Sequence, residues 1–308
     1  MPRVVLLGSS NTDMTVRTPR LPAAGETVLG GPFATTPGGK GANQAVAARR
    51  AGADVVFVTA VGDDDLGRRA LGLYRGEGID VSLAKVVAGA ASGVALIFVA
   101  DDGENMIAVA SGANLELSPA DVEALPDDLF RPGDVLLTGL EIPAATALAA
   151  MRRGRKAGMT VVLNPAPAPA ADDPIVADLL AAADVVTPNR GEALALAGGV
   201  EDAPRAVADR IRARGPGTVI VTMGRDGCLA TTAETTREVP GRRVRAVDAV
   251  GAGDAFNGAL AAALAEGRPL GDALAWATAA AALAVTRAGA QAALPDREAI
   301  DRFARAPE

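Results

Sequence analysis

A proton acceptor in this chain has to be a carboxylate, a lysine or the single tyrosine, because its 308 residues include no histidine. The same absence excludes a Ser-His-Asp triad, a histidine base and a zinc site of the usual Cys/His kind. The sharpest arrangement left is Val250-Gly251-Ala252-Gly253-Asp254-Ala255-Phe256-Asn257-Gly258, which opens a long Ala-rich stretch. Small residues at Gly251, Ala252 and Gly253 let a ligand approach the backbone closely. Unpaired N–H groups at a helix start, together with the positive end of the helix dipole, favour an anion. Asp254 stands in the first turn, where the helix start favours an ionised carboxylate, so it is expected to be a weak base. Taken alone it reads more simply as a capping acid, but a cap does not require the small residues before it. No Gly-Lys-Ser/Thr follows the glycines, so this is not a Walker A loop.

A second segment, Pro37-Gly38-Gly39-Lys40-Gly41-Ala42-Asn43-Gln44, also leads into an Ala-rich helix. Its glycine-rich backbone could lie against a polyhydroxyl ligand, with Lys40 and Asn43 as donors. By itself the pattern suits a flexible loop before a helix equally well. Further polar residues follow apolar runs: Asn11 and Asp13, Glu141, Asn164, Asn189 and Glu192, then Thr222 and Gly224. Singly, such residues also favour caps and turns.

The elements that must position these groups alternate. Strand-like runs cover 4–7, 55–59, 135–138, 160–163, 185–187 and 219–222. Helical stretches cover 42–51, 66–77, 144–157, 192–197, 204–214, 254–265 and 270–286. Continuous apolar strands alternating with helices predict an α/β, doubly wound, mostly parallel sheet covered on both faces. In such sheets ligands bind outside the carboxyl ends of the strands, which would gather the polar residues on one rim. Two segments break the rhythm. Residues 26–36 have no helical period, and 92–110 read as two strands about a turn at 101–104. Both are expected to form a small β-sheet lid, within about 14–37 and 93–110 of a single domain spanning 1–308.

Composition narrows the partners. A net charge of -7 gives no basic footprint for nucleic acid. One cysteine, Cys228, excludes an internal disulfide and reads as a small buried side chain. The apolar run 4–7 is too short for a signal-peptide core, and 273–286 ends at Arg287, short of a bilayer span. A soluble, cytoplasmic protein with no membrane partner is expected.

In their order and surroundings, these motifs resemble the ribokinase family of carbohydrate kinases, within the ribokinase/PfkB superfamily, nearly end to end. Besides the two segments above, the match takes in Gly25-Glu26-Thr27, Gly62-Asp63-Asp64, Gly93 to Val99, Asn164-Pro165-Ala166-Pro167, Thr187-Pro188-Asn189, Ala246-Val247-Asp248 and Val285-Thr286-Arg287. The resemblance implies ATP-dependent phosphorylation of the 5-hydroxyl of D-ribose. It implies that Asn11, Asp13, Gly39, Lys40, Gly41, Ala42, Asn43 and Glu141 bind the sugar. Asn189 and the run Thr222, Met223, Gly224, Arg225, Asp226 and Gly227 would bind ATP, with Gly253 at its phosphate and Thr278 near its adenine. Glu192 would help organise Mg²⁺. Gly251, Ala252 and Gly253 would form an anion hole, with Asp254 as base. Asp248, Val250, Ala284, Arg287, Gly289 and Ala293 would surround an activating K⁺, several through backbone carbonyls. A homodimer joined through the lids is likewise implied.

Three positions depart from the family pattern: Arg190, where many relatives carry an acid; Ala293, where they often offer a hydroxyl; and Thr278, where they often place His or Asn. Two other functions stay open at this point, a sibling kinase for deoxyribose, fructose or another furanose and a catalytically silent sugar-binding sensor. Asp13 favours ribose over the first, and intact Asp254, Asn189 and Glu192 favour catalysis over the second.

Overall fold

The computed structural model describes residues 3–306. The chain opens with β1 (Val4–Leu7), continues into β2 (Asn11–Thr18) and β3 (Phe33–Gly38), then enters α1 (Lys40–Arg50). Next come β4 (Val55–Val58), β5 (Ala60–Gly62), α2 (Asp65–Gly76), β6 (Lys85–Val87), β7 (Gly93–Ala100) and β8 (Asn105–Ala110). A short α3 (Pro119–Glu123) precedes β9 (Val135–Gly139), α4 (Ala144–Lys156), β10 (Thr160–Asn164), α5 (Ile175–Ala182) and β11 (Val185–Val186). The remainder is α6 (Arg190–Leu196), α7 (Pro204–Arg212), β12 (Thr218–Thr222), β13 (Cys228–Thr231), β14 (Thr236–Val239), α8 (Ala252–Ala265), α9 (Leu270–Ala284) and α10 (Arg297–Arg305).

Eight strands form the main sheet in the order β14-β13-β12-β11-β10-β9-β1-β4. The six from β12 to β4 run parallel, and β13 and β14 add an antiparallel edge. Residues alternate between two cores along each strand. Val4 and Leu6 pack with α1, α2, α8 and α9, whereas Val5 and Leu7 pack with α4 to α7. Burial on both faces is why these strands read as unbroken apolar runs. The chain steps from β1 to β4 on one side, then returns to β9 on the other and works outward. That reversal lies between β1 and β9, the switch point at which sheets of this kind hold a ligand crevice outside the strands' carboxyl ends.

The lid is a separate four-stranded sheet, β3-β2-β7-β8. Strands β7 and β8 turn at 101–104, as the sequence predicts, with Phe98 opposite Met106. The other lid segment differs: only Phe33–Gly38 of 26–36 is strand, and the lid begins already at Asn11, so Asn11 and Asp13 lie on a lid strand. Register places Asp13, Ala95 and Val109 on one lid face and Met14, Leu96, Phe98 and Met106 on the other. Leu96 is 48% exposed, Met106 48% and Phe33 62%.

Both helix starts at the crevice lie earlier than the apolar periodicity suggests. Helix α1 begins at Lys40 and α8 at Ala252, so the glycine-rich segments form first turns. Their N-caps, Gly39 (φ 87°) and Gly251 (φ 79°), take left-handed backbone that a side chain would strain. Alanine periodicity fades at glycine, which hides a first turn from the pattern. Strands β5, β6, β13 and β14 and helices α5 and α10 lie outside the segments marked by periodicity, because they are short or polar on one face. Among the described residues, no helix is long and apolar enough to cross a membrane.

Candidate active site

Helices α1 and α8 aim their N-termini at the crevice and cross closely at Gly258, where an added Cβ would lie 2.5 Å from Ala47 Cβ and 2.6 Å from the Gln44 carbonyl oxygen. That contact fixes Asp254, one turn earlier on α8, against α1. Its carboxylate is buried; Oδ2 accepts from Asn43 Nδ2 at 2.9 Å and Oδ1 from Gln44 Nε2 at 3.0 Å. Burial pushes Asp254 up to about 6; Lys40 and the two amides hold it down, and the Glu141 charge adds to the rise. The weak base expected from a helix start is therefore corrected. Desolvation outweighs the dipole and lifts the Asp254 carboxyl toward neutral pH.

Glu141 follows β9 on the far side of the switch point. Its Oε2 accepts from Ser9 Oγ at 2.6 Å and from the Lys40 amide at 2.9 Å, joining the ends of β1 and β9 to the start of α1. Asp13 faces the same space from the lid. Gly38 leaves room for it, since a Cβ there would stand 2.2 Å from Asp13 Oδ1. Burial, then Glu141, then Asp254 push Asp13 up to about 6 as well. Three carboxylates thus converge, and the charges of Lys40 and Glu141 both reach Asp254.

Asn11 is oriented by a residue the motifs do not reveal. Asn114 donates from Nδ2 to Asn11 Oδ1 at 2.7 Å and accepts from Ser10 N at 2.9 Å. This leaves the Asn11 amino group as the end free to donate. Asn43 is complementary: among the described residues, its buried Oδ1 has no partner. Donors and acceptors of this kind, facing carboxylates across a crevice, suit a small molecule bearing several hydroxyls.

Of the predicted anion-hole amides, Ala252 N donates to Ala249 O at 3.3 Å, whereas Gly251 N and Gly253 N have no protein acceptor among the described residues. Asp254 N shares that condition, so the first turn of α8 presents more than one open donor.

The second predicted cluster also assembles. Asn189 and Thr222 are bridged in parallel at the ends of β11 and β12, and Thr222 N donates to Pro188 O at 2.9 Å. Met223 N closes the following turn on Gly227 O at 2.8 Å, and Gly227 admits no side chain because Val239 O would stand 2.0 Å from its Cβ. Gly224, Arg225 and Asp226 form the exposed turn between them. Asn189 and Glu192 satisfy each other as a capping box on α6. Burial raises the Glu192 carboxyl, and the Lys40 charge opposes that rise. Arg190, at the departing position, pairs with Asp226 at 2.8 Å. Thr278 is buried beside Cys228, with its Oγ1 3.7 Å from the sulfur. Burial pushes that thiol up to about 11, in keeping with a packing role.

The third set closes around residues 248–250 and 284–293. Asp248 accepts from Val250 N at 3.0 Å and from Gly289 N at 2.9 Å. Among the described residues, the carbonyls of Val250, Arg287 and Gly289 accept no hydrogen bond, whereas Ala284 O receives Arg287 N at 3.4 Å. Backbone carbonyls of this kind can replace part of a cation's hydration shell. Ala293 is buried and contributes only a methyl group.

Paired helix starts under a β-sheet lid are a scaffold that unrelated chemistries can share, and comparison with known proteins gives the class. Residues 1–297 match the pfkB family carbohydrate kinase model, and the chain belongs to that family. Within it, the chain is an enzyme of the ribokinase type. It is 39% identical over 298 residues to the ribokinase of Haemophilus influenzae, covering 96% of both chains. It is 35% identical to the deoxyribokinase of Salmonella typhi, covering 97% of this chain and 98% of that one. The structure of Arabidopsis thaliana ribokinase, complexed with ribose and ATP, superposes with a TM-score of 0.89 at 29% identity, covering 99% of each chain.

Proposed function

We propose that this chain transfers the γ-phosphoryl group of ATP to the 5-hydroxyl of D-ribose, giving D-ribose 5-phosphate and ADP. The observation that carries this reading is the convergence of Asp13, Glu141, Asn43 and buried Asp254 at the open start of α8. Carboxylates and amides from the lid, β9 and α1 hold the ring hydroxyls and turn the 5-hydroxyl toward Asp254. As the sugar oxygen forms its bond to the γ-phosphorus, its proton passes to Asp254, and the bond from that phosphorus to the bridging oxygen breaks, releasing ADP. Open amides of Gly251, Gly253 and Asp254 meet the charge on the moving group, an effect of roughly 3–4 kcal/mol per donor in comparable sites. Lys40, whose charge reaches both Asp254 and Glu192, offsets the carboxylates where the phosphates must lie.

The turn 222–227, Asn189 and Thr278 serve as the nucleotide platform. Glu192 and Asn189 are too sparse for a protein-built magnesium cage but fit a hydrated Mg²⁺ carried by ATP phosphates, where the ion supplies charge neutralisation. The carbonyls of Val250, Arg287 and Gly289, with Asp248 bracing them, fit K⁺, which would stiffen the loop before α8. The lid excludes water as a competing acceptor, and its outward apolar face, with Leu96, Met106 and Phe33, supports pairing of two lids in a homodimer. We place the enzyme in the cytoplasm.

A second reading, phosphorylation of 2-deoxyribose, is favoured by the Salmonella relative. A coupled ADP-release assay with ribose, 2-deoxyribose, fructose and nucleosides decides. Higher kcat/KM for ribose supports the first reading, and a clear preference for the deoxy sugar replaces it.

A further inference from the structure

Asp254 is not held by the sugar-binding turn alone. Gln44 Nε2 uses both of its hydrogens, one toward Asp254 Oδ1 and one toward Asn164 Oδ1, each at 3.0 Å. Asn164 Nδ2 donates to Thr187 O at 3.0 Å, Thr187 Oγ1 to Asn257 Oδ1 at 2.5 Å, and Asn257 Nδ2 to Gly253 O at 2.8 Å. The chain of bonds starts at the carboxylate and ends on the backbone of the open first turn of α8, one residue before Asp254. It crosses α1, β10, the end of β11 and α8, and all five side chains are buried. Helix packing alone does not require four buried amides and hydroxyls, since an apolar set of similar shape can be about as stable.

We infer that Gln44 is a positioning residue for the base, fixing the Asp254 carboxylate and, through Asn164, Thr187 and Asn257, the adjoining Gly253 peptide in one mutual geometry. The inference rests on Asp254 being the base. A carboxylate oxygen has two acceptor directions, so one amide on each oxygen leaves a second direction free for the sugar hydroxyl. The Gln44 amide binds the carboxylate more strongly than the protonated carboxyl, so it favours ionised Asp254 and opposes the rise that burial imposes. The charged groups facing Asp254 are Lys40 from α1, Glu141 beyond β9 and Asp13 from the lid, whereas the Gln44 side-chain amide donates only to Asp254 and Asn164. Asn43, on the other oxygen, also faces the ligand space; Gln44 points away from it into the network. Its loss therefore acts on Asp254 rather than on sugar contacts.

The test is Gln44→Met, which keeps length and volume but removes the donors, with kcat and KM for ribose followed from pH 5 to 9. The acid limb of kcat is expected to move up by about one pH unit, as the loss of a hydrogen bond to a charged group implies. At pH 6, close to the parent limb, kcat should fall about fivefold, while KM for ribose stays within about twofold. Should Gln44→Met fail to fold, Asn164→Ser loosens the same amide from its other side and should move the limb in the same direction by a smaller step. An unshifted limb in the folded variant, including a uniform drop in kcat at every pH, overturns the inference and leaves Gln44 a packing residue. Asp254→Asn measured alongside separates the two claims. If it is inactive and Gln44→Met unshifted, only the positioning role fails. If it turns over normally, the base assignment fails and takes this role with it.

Discussion

Gly258→Ala places a single methyl group where α8 crosses α1, and its effect follows from three distances. The new Cβ would sit 2.5 Å from Ala47 Cβ, 2.6 Å from Gln44 O and 2.7 Å from Ala48 N. Ordinary carbon contacts need about 3.5–4.0 Å, so the helices must part by about 1 Å. Two of the three obstacles are backbone atoms, which cannot swing aside. Overpacking costs about 1–3 kcal/mol, while replacing a mid-helix glycine by alanine returns about 1 kcal/mol, so the folded state survives with a modest loss. Catalysis does not have that offset. Asp254 lies one turn from Gly258 on the same face, and its amide contacts at 2.9 and 3.0 Å stretch toward 4 Å, beyond hydrogen-bond range. A misplacement of about 1 Å at a reacting group can lower turnover about 100-fold. Measured at saturating ribose and ATP, kcat should fall by that order while the melting temperature drops only a few degrees. A folded Gly258→Ala enzyme with kcat within about threefold of the parent would refute the claim that the α1–α8 approach sets the base.

Other outcomes follow from the same geometry. Asp13, raised from the ordinary 3.8 to about 6, leaves the folded state holding more protons than the unfolded chain between those values, so its contribution to stability falls as pH rises through that window. Asp13→Asn should therefore raise stability at pH 7.5 by about 1–2 kcal/mol, allowing for partial solvent screening. Thermal melts should show that gap closing near pH 4, and an equal gap at both pH values contradicts the charge argument. The same substitution should weaken ribose binding by calorimetry more than it lowers kcat. For the monovalent site, KCl added to a Tris background should raise kcat, while Ala293→Ser, by adding an oxygen, should lower the K⁺ concentration for half-activation; no response to K⁺ in either protein removes that site. Arg190→Ala breaks an exposed pair with Asp226 worth at most about 1 kcal/mol, so the melting temperature should stay within about 2 °C.

Much of this was legible in the sequence because strong signals have local causes. A strand buried on both faces must be apolar throughout, so β1, β4, β9, β10, β11 and β12 stand out, and their order with the helices gives the doubly wound class. The turn at 101–104 shows the two lid strands by composition alone. Helix starts built from glycine were harder to bound: Lys40 and Gly41 fall outside the expected helix 42–51, yet they open its first turn because Gly39 supplies the left-handed cap. The ionisation of Asp254 was misjudged for a related reason. Position at a helix start is visible in a sequence, whereas burial beneath α1 is a tertiary fact. Gln44 and Asn114 mark the limit. Each acts through a partner more than 100 residues away, and neither residue type nor spacing announces such a bond.

The central claim is that Asp254 takes the sugar proton as the phosphoryl group moves. It is tested most directly by ADP release with ribose, ATP and Mg²⁺ in the parent and in Asp254→Asn, with ribose binding measured on both by calorimetry. The account predicts turnover in the parent, a loss of about 10²–10⁴-fold in the variant, and ribose affinity within a few fold. Turnover in Asp254→Asn close to that of the parent would contradict it.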